Sequence, residues 1–234
     1  MLKECIILAG GLGTRLRSVV GDFPKVLAPV NDKPFLHYLL ENASRQKIEH
    51  IILSTGYRHE HIESFITEKH SKKNISFAIE PEPLGTGGAI ANALKQCKTD
   101  EVLILNGDTF FDIDYNFFYH HHHHHCAEFS IALRTMQNFN RYGTVAVDNQ
   151  RRITAFQEKR QMEEGMINAG IYIINRPGFM ELNWTQKFSL EKDYMEKYFG
   201  KIPMYGFSYD GYFIDIGIPE DYEKAQRDFK QLFP

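Results

Sequence analysis

The sequence predicts an α/β fold in which helices flank a largely parallel β-sheet. Two observations support this prediction. Short β-rich runs alternate with helix-like segments in the first half of the chain, a pattern typical of βαβ units. The 234 residues, 43% of them hydrophobic, suffice for one large core, and no Gly/Pro/Ser-rich linker divides them. We therefore predict one domain over residues 1–234.

The alternation occupies the first half of the chain. The predicted strands are residues 5–8, 50–53, 75–79 and 102–105, and the predicted helices are residues 34–45, 59–70 and 86–96. Parallel sheets bind ligands at the carboxyl ends of their strands. We therefore expect functional residues in the loops that begin at Ala9, Glu80 and Asn106.

The pattern changes at Phe129. Predicted strands at residues 130–134, 144–147, 153–157, 167–174 and 212–216 have fewer helices between them, and a last helix begins near Pro219. This change divides the domain into two subregions, about 1–128 and about 129–234. The second subregion extends the sheet or forms a substrate lobe.

Charge and cysteine content argue against several classes of protein. The net charge of −3 gives no electrostatic reason to expect binding to nucleic acid or to a membrane surface. The three cysteines are widely spaced and form no metal-type pair, which favours a reducing compartment, the cytoplasm. The apolar run at residues 5–9 is too short for a signal-peptide core or a membrane span. A homo-oligomer is left open.

A histidine tract covers residues 120–125. Several accessible imidazoles can bind nickel, zinc or copper. Consecutive residues cannot, however, all face one metal site on a helix. We interpret the tract as a solvated helix end or an engineered purification sequence, and not as a catalytic metal site.

A glycine-rich loop follows the first predicted strand. Its glycines let the backbone approach a ligand and direct amides toward phosphate oxygens, and Arg15 adds a forked cation. The spacing is not that of a P-loop, and Leu16 replaces the third glycine of a dinucleotide fingerprint, which disfavours a Rossmann dehydrogenase. The glycines alone fit a structural turn equally well. The loop reads Ala9-Gly10-Gly11-Leu12-Gly13-Thr14-Arg15-Leu16.

Lys25 lies in a short stretch that is bounded by Pro24 and Pro29, which restrict its geometry. Alone it would be a solvated lysine. The glycine loop followed by Pro24-Lys25 resembles the signature of the sugar nucleotidyltransferase family, and the resemblance spans essentially the whole chain. Within the family, residues 15–40 and 208–222 are most similar to the D-glycero-α-D-manno-heptose-1-phosphate guanylyltransferases.

This resemblance implies a three-layer αβα, Rossmann-like nucleotidyltransferase fold with a mixed, mainly parallel central sheet. It also implies that residues 1–128 bind the nucleotide and residues 129–234 the sugar phosphate. The implied reaction joins GMP from GTP to a heptose 1-phosphate, releasing pyrophosphate and giving GDP-heptose for a bacterial surface glycan. Mg²⁺ is the expected cofactor, and Arg15 and Lys25 the catalytic cations.

Two carboxylates are candidate metal ligands. Asp108 follows the predicted strand 102–105, so a hard cation could bind it together with phosphate oxygens. Asp215 matches the family's second ligand position, although from sequence alone it equally fits a strand-end turn. The pair Asp112 and Asp114 resembles a glycosyltransferase D-x-D pattern, but we interpret it as a loop or helix cap.

The remaining candidates follow from the resemblance. Glu158 and Lys159 correspond to the family's sugar and phosphate contacts, although Arg160 stands where proline is often found. The other implied sugar-phosphate residues are Gly143, Asn168 and Gly170, and the implied nucleotide-binding residues are Ala9, Gly10, Gly11, Gly13, Thr14, Glu80, Gly85 and Thr86.

Glu80 precedes a segment, residues 83–87, that resembles the family's base-binding loop. A carboxylate can accept both donors on the Watson–Crick edge of guanine, whereas relatives selective for uracil and thymine commonly carry glutamine there. Glu80 therefore favours GTP, and the alternative is a solvated acid or a helix cap.

Three other functions remain open. One is a mannose- or glucose-1-phosphate nucleotidyltransferase, and the second is a glycosyltransferase that consumes a nucleotide sugar. The third is a noncatalytic sensor or metal-binding module.

Overall fold

The computed structural model describes residues 1–11, 13, 16, 21, 23–157 and 159–233. The strands are β1 (Glu4–Leu8), β2 (Pro29–Val30), β3 (Lys33–Pro34), β4 (His50–Thr55), β5 (Ile75–Ile79), β6 (Glu101–Asn106), β7 (Thr109–Phe111), β8 (Phe129–Phe139), β9 (Thr144–Val147), β10 (Ile153–Gln157), β11 (Met162–Asn175), β12 (Met204–Tyr209) and β13 (Phe213–Asp215). The helices are Phe35–Arg45, His59–Lys69, Gly85–Leu94, Tyr115–His124, Arg176–Glu181, Glu196–Tyr198 and Pro219–Leu232, with a 3₁₀ turn at Lys25–Leu27 and a π-helical turn at Leu190–Met195.

The central sheet of the described residues has nine strands. Its main path runs β10-β9-β11-β6-β1-β4-β5, and β8 joins β11 and β12 beside this path. Strands β1, β4, β5 and β6 are mutually parallel, whereas β11 is antiparallel to β6, β8 and β9. Only β10 and β11 oppose the common direction, so the prediction of a mixed, mainly parallel sheet is confirmed. The β6–β11 pairing joins the two predicted subregions in one sheet.

Both faces of this sheet are covered, because successive apolar residues of each central strand point to opposite sides. In β1, Ile7 packs into a core that includes Leu36 and Phe229 from two helices. Its neighbour Ile6 packs on the other face with Ile90 and Phe179. Helices therefore lie on both sides, which confirms the three-layer αβα architecture. No helix among the described residues is long and apolar enough to cross a membrane.

Most predicted elements are present. Strands β5, β9 and β10 have the predicted bounds, and the last helix begins at Pro219 as expected. The predicted strand at residues 212–216 is present as β13, which pairs with β7 in a separate two-stranded sheet. The sequence analysis missed the short strands β2, β3 and β7, strand β12, and the helical turns between Arg176 and Tyr198.

The histidine tract lies at the end of the helix Tyr115–His124. Asp114 caps this helix by accepting the N–H groups of Asn116 and Phe117 at 2.8 and 3.0 Å, which confirms the cap interpretation of that segment. The expectation of a fully solvated tract was wrong for His122. That side chain is buried and its Nδ1 lies 2.8 Å from Ser130 Oγ, because the helix packs this face against β8.

Candidate active site

Two pockets open next to one another along the carboxyl ends of β1 and β6. The small pocket has a volume of about 360 Å³ and the large pocket about 650 Å³. Asn106, Asp108 and Glu191 line both, so the two pockets meet there. Two of the three loops singled out by the sequence, those after β1 and β5, contribute to the small pocket. The loop after β6 contributes to both.

The glycine loop forms one wall of the small pocket through Gly10 and Gly11. Ala9 is buried, and its N–H donates to Ser54 O at 2.7 Å, which attaches the start of the loop to β4. Gly13 has φ +58°, a conformation that favours glycine. The predicted contacts of Thr14 and Arg15 lie outside the described residues.

Gly85 and Thr86 also line the small pocket. Gly85 has φ +74°, and a Cβ added there would lie 2.5 Å from Phe188 O, so only glycine fits. The Thr86 hydroxyl donates to Glu191 Oε2 at 2.8 Å and accepts the Leu190 N–H at 2.9 Å. Thr86 therefore attaches this part of the small pocket to the π-helical turn that borders the large pocket.

Glu80 lies in the small pocket with its side chain half-buried. Its Oε2 accepts the Leu84 N–H at 3.1 Å, and its Oε1 accepts the Ser54 hydroxyl at 3.4 Å. Burial raises the pKa of this carboxyl above its ordinary value. The Leu84 contact is a loop cap, while the second oxygen points toward Gly10, so a base contact and a capping contact are compatible with each other.

Lys25 and the two candidate metal ligands converge where the pockets meet. Lys25 Nζ lies 2.6 Å from Asp108 Oδ2 and 3.8 Å from Asp215 Oδ1, and the lysine side chain is only 11% exposed. The pairing of β13 with β7 brings Asp215 opposite Thr109, next to Asp108 in the chain. Burial, and then the nearby Asp108 charge, raise the pKa of Asp215.

This donor set fits a hard divalent cation. Both carboxylates offer oxygen ligands, and each already contacts one positive charge, the Lys25 ammonium. A bound cation would offset the repulsion through which the Asp108 charge raises the pKa of Asp215. Asp108 also faces both pockets, so a cation there would adjoin ligands in either one.

The large pocket is lined by four of the predicted sugar-phosphate residues, Gly143, Lys159, Asn168 and Gly170, whereas Glu158 lies outside the described residues. Lys159 is exposed. Asn168 forms a local turn, because its amide donates to Tyr172 Oη at 2.9 Å and its Oδ1 accepts the Gly170 N–H at 2.8 Å. Gly170 has φ +71°, and an added Cβ would lie 2.6 Å from Asn106 Nδ2.

Gly143 lies against strand backbone. A Cβ added there would lie 2.8 Å from Gln157 O. This close approach gives a structural reason for glycine at that position, besides the predicted approach of a sugar.

Several lining residues were missed by the sequence analysis. Arg141 pairs with Asp221, lies over the Tyr142 ring at 5.3 Å and borders the large pocket. The sequence signal that could have identified Arg141 is its position two residues before Gly143, a predicted sugar contact. Glu191 and Lys192 reach the pocket from the π-helical turn, which carries no recognisable motif, so sequence alone offered no signal for them.

Residues 4–231 match the nucleotidyl transferase family, and the chain belongs to that family. It is 47% identical to D-glycero-α-D-manno-heptose 1-phosphate guanylyltransferase of Aneurinibacillus thermoaerophilus, over 97% of this chain and 98% of the relative. It is 43% identical to the Campylobacter jejuni protein of the same name, over 94% and 96%. These matches confirm the resemblance that the glycine loop and Lys25 indicated.

A comparison with solved structures supports the same family assignment. The crystal structure of HddC from Yersinia pseudotuberculosis complexed with GMP-PN has a TM-score of 0.87 at 37% identity, and the match covers 97% of this chain and all of that one. More distant relatives include the mannose-1-phosphate guanylyltransferase of Mycobacterium tuberculosis, 30% identical over 96% of this chain and 64% of the relative. Enzymes of this family generally use divalent metal ions.

Proposed function

We propose that this protein transfers GMP from GTP to D-glycero-α-D-manno-heptose 1-phosphate, giving GDP-heptose and pyrophosphate for a surface glycan. The observation that carries the proposal is the convergence of Lys25, Asp108 and Asp215 where two pockets meet. We assign GTP to the small pocket and the sugar phosphate to the large pocket. The names of the relatives at 47% and 43% identity support the choice of GTP and of the heptose.

The reaction needs charge neutralisation more than a strong base. The second pKa of a phosphate monoester is about 6, so the acceptor phosphate is already a nucleophile at neutral pH. Its oxygen attacks the α-phosphorus of GTP, and the bond to pyrophosphate breaks. The obstacle is repulsion between two anions, which positioned cations reduce most in the transition state.

Lys25 is suited to this task because it is held at the junction by two carboxylates and is nearly buried. It would neutralise phosphate oxygens that enter from the small pocket, while exposed Lys159 would attract the acceptor phosphate in the large one. We propose Mg²⁺ as the ion held by Asp108 and Asp215. When bound, this ion supplies electrostatic stabilisation of the phosphate charges.

Base choice is assigned to Glu80. Its ionised carboxylate would accept the two adjacent donors of guanine, whereas uracil and thymine present carbonyls that it would repel. The position of Glu80 in the small pocket supports this role. The free thiols of Cys5, Cys97 and Cys126 support a cytoplasmic location.

A substrate panel tests the proposal. Pyrophosphate release would be measured for four nucleoside triphosphates, each with heptose, mannose and glucose 1-phosphates, with and without Mg²⁺. We expect the highest kcat/KM for GTP with the heptose phosphate. Preference for mannose 1-phosphate, the substrate named for the relatives near 30% identity, would correct the acceptor only. No release with any pair would overturn the proposal.

A further inference from the structure

A second group of potential metal ligands lies outside both pockets. His37 and Glu41 are one turn apart on the helix Phe35–Arg45, so they share a face. His70 follows the last residue of the helix His59–Lys69 and packs against that face. One ligand atom from each of the three residues lies within 4.8 Å of the others. None of the three lines the small or the large pocket.

The two imidazoles already have the spacing of metal ligands. His37 Nδ1 and His70 Nε2 face each other at 3.3 Å. Two nitrogens bound to one tetrahedral zinc ion, each at about 2.0–2.1 Å, are separated by about 3.3 Å. Glu41 Oε1 lies 3.7 Å from His70 Nδ1, the ring nitrogen that does not face His37. It would have to turn toward the Nε2 side to reach the same ion, which its half-exposed side chain allows.

The surroundings keep the imidazoles available as ligands. Burial lowers the pKa of both His37 and His70, which favours the neutral, metal-binding form. The charged groups that face them are Glu41, Lys33 and Lys73. Lys73 Nζ lies 3.2 Å from Glu41 Oε1 but also 2.7 Å from Ser44 Oγ. It can therefore keep the serine contact when Glu41 turns toward an ion.

We propose that His37, Glu41 and His70 bind one zinc-class transition-metal ion, with water as a further ligand. Two imidazoles and a carboxylate form a set that suits zinc and not Mg²⁺. The ion would join the end of the helix His59–Lys69 to the helix Phe35–Arg45. The latter begins with a hydrogen bond from Phe35 N to Ala28 O, just after the turn that carries Lys25. The site is separate from the proposed transferase activity.

The test measures zinc binding by chelator-stripped protein against a chromophoric competitor. The background carries His120→Gln, His123→Gln and His124→Gln, which remove the exposed imidazoles of the tract. Excess Mg²⁺ occupies the carboxylate site. We expect one tight zinc equivalent and, with Co²⁺ as the probe, the intense visible absorption of a tetrahedral site. Because even ligand-supporting residues contribute about 10–100-fold to affinity, His37→Gln should weaken zinc binding by at least about 100-fold.

His59→Gln is the matched control. His59 is the first residue of the helix His59–Lys69, about 16 Å along the helix axis from His70, which follows its last residue. It should keep the affinity, the cobalt spectrum and the zinc-dependent rise in Tm, whereas His37→Gln should lose all three. If His37→Gln does not fold, the zinc affinity of Glu41→Gln is measured instead, because the Glu41 side chain is half-exposed and its replacement should not disturb the core. Parent-like affinity in the folded variant, or no tight zinc in the parent, overturns the proposal. Neither outcome depends on nucleotidyl transfer.

Discussion

The small and large pockets share three residues but are built differently. The small pocket has four glycines in its walls beside the side chains of Lys25, Glu80 and Asp108; these glycines are Gly10, Gly11, Gly85 and Gly107. The large pocket is lined by long charged side chains, including Arg141, Lys159 and Lys192. Backbone walls cannot change shape without moving the sheet, whereas side-chain walls change with each substitution. Under the proposed assignment of substrates, the small pocket would select by its glycine-walled shape and the Glu80 carboxylate, and the large pocket by adjustable charge.

The largest expected effect is at the junction of the two pockets, which is lined by Asn106, Asp108 and Glu191 and so belongs to both pockets. Asp108→Asn should lower kcat by at least about 100-fold, because the proposed cation ligand at the junction of the two pockets loses its charge. The amide can keep the local hydrogen bonds, so the unfolding free energy should change little. Steady-state kinetics with and without added Mg²⁺ would measure the loss.

Asp112→Asn is the control for Asp108→Asn, because Asp112 is exposed, pairs with Arg45 and lines neither pocket. It should keep parent activity. Near-parent turnover in Asp108→Asn would remove the junction from the mechanism and leave the two pockets without a common centre.

The fixed geometry of the small pocket is tested by Gly85→Ala. Its φ of +74° is strained for alanine, and the new Cβ would meet Phe188 O. We expect the unfolding free energy to fall by about 2–5 kcal/mol, combining about 1–2 kcal/mol for the left-handed backbone with about 1–3 for overpacking. The KM for GTP should rise more than the KM for the sugar phosphate.

Gly200→Ala separates these two causes. Gly200 has φ +77°, but nothing lies within 4 Å of an added Cβ. Only the backbone strain remains, so the expected loss is about 1–2 kcal/mol with unchanged KM values. Equal effects of the two substitutions, measured by denaturant unfolding, would show that the Phe188 contact does not shape the pocket.

Glu80→Gln should narrow the preference for GTP over UTP and dTTP by about tenfold, since a mismatched polar group costs about 1–3 kcal/mol. Burial raises the pKa of Glu80, so the folded carboxylate protonates at a higher pH than a free one. The GTP preference of the parent should therefore fall as pH drops through that raised pKa, and Glu80→Gln should lack this dependence. Exposed Glu82→Gln is the control. A parent-like GTP-to-UTP ratio in folded Glu80→Gln would sink the assignment.

The smallest effect is expected in the adjustable wall. Lys159→Ala should raise the KM for the sugar phosphate about severalfold and leave the KM for GTP unchanged, because an exposed charge attracts weakly and is screened by salt. The difference should shrink as salt is added. Lys72→Ala, exposed and outside both pockets, should show neither change. A salt-independent loss would instead indicate a buried contact.

Local pattern sufficed for much of the fold and part of the site. The alternation of apolar strands and helices predicted the central elements, and the strand ends predicted the loops of the small pocket. Lys25, Asp108 and Asp215 were selected by motif, yet their convergence depends on the pairing of β13 with β7. That pairing is a long-range contact, which local periodicity does not encode.

The other contacts of the site could not be predicted, because they also join residues that are far apart in the sequence. The bond from Thr86 to Glu191 joins residues 105 positions apart, and no motif marks the π-helical turn. Arg141 and Asp221 are 80 positions apart. His122 looked identical to its neighbours in sequence, and only the packing of its helix on β8 distinguishes it. Residues whose role depends on tertiary contact give no local signal.

The burial of His122 has a practical consequence for chromatography. The exposed imidazoles of His120, His123 and His124 should retain the protein on immobilised nickel. Acid elution works by protonating imidazole. Burial lowers the pKa of His122 from 6.5 to about 4, so the unfolded chain takes up that proton first. Stability therefore falls as pH drops from about 6.5 toward 4, by up to about 3 kcal/mol. Elution with free imidazole at neutral pH leaves His122 uncharged and the fold intact.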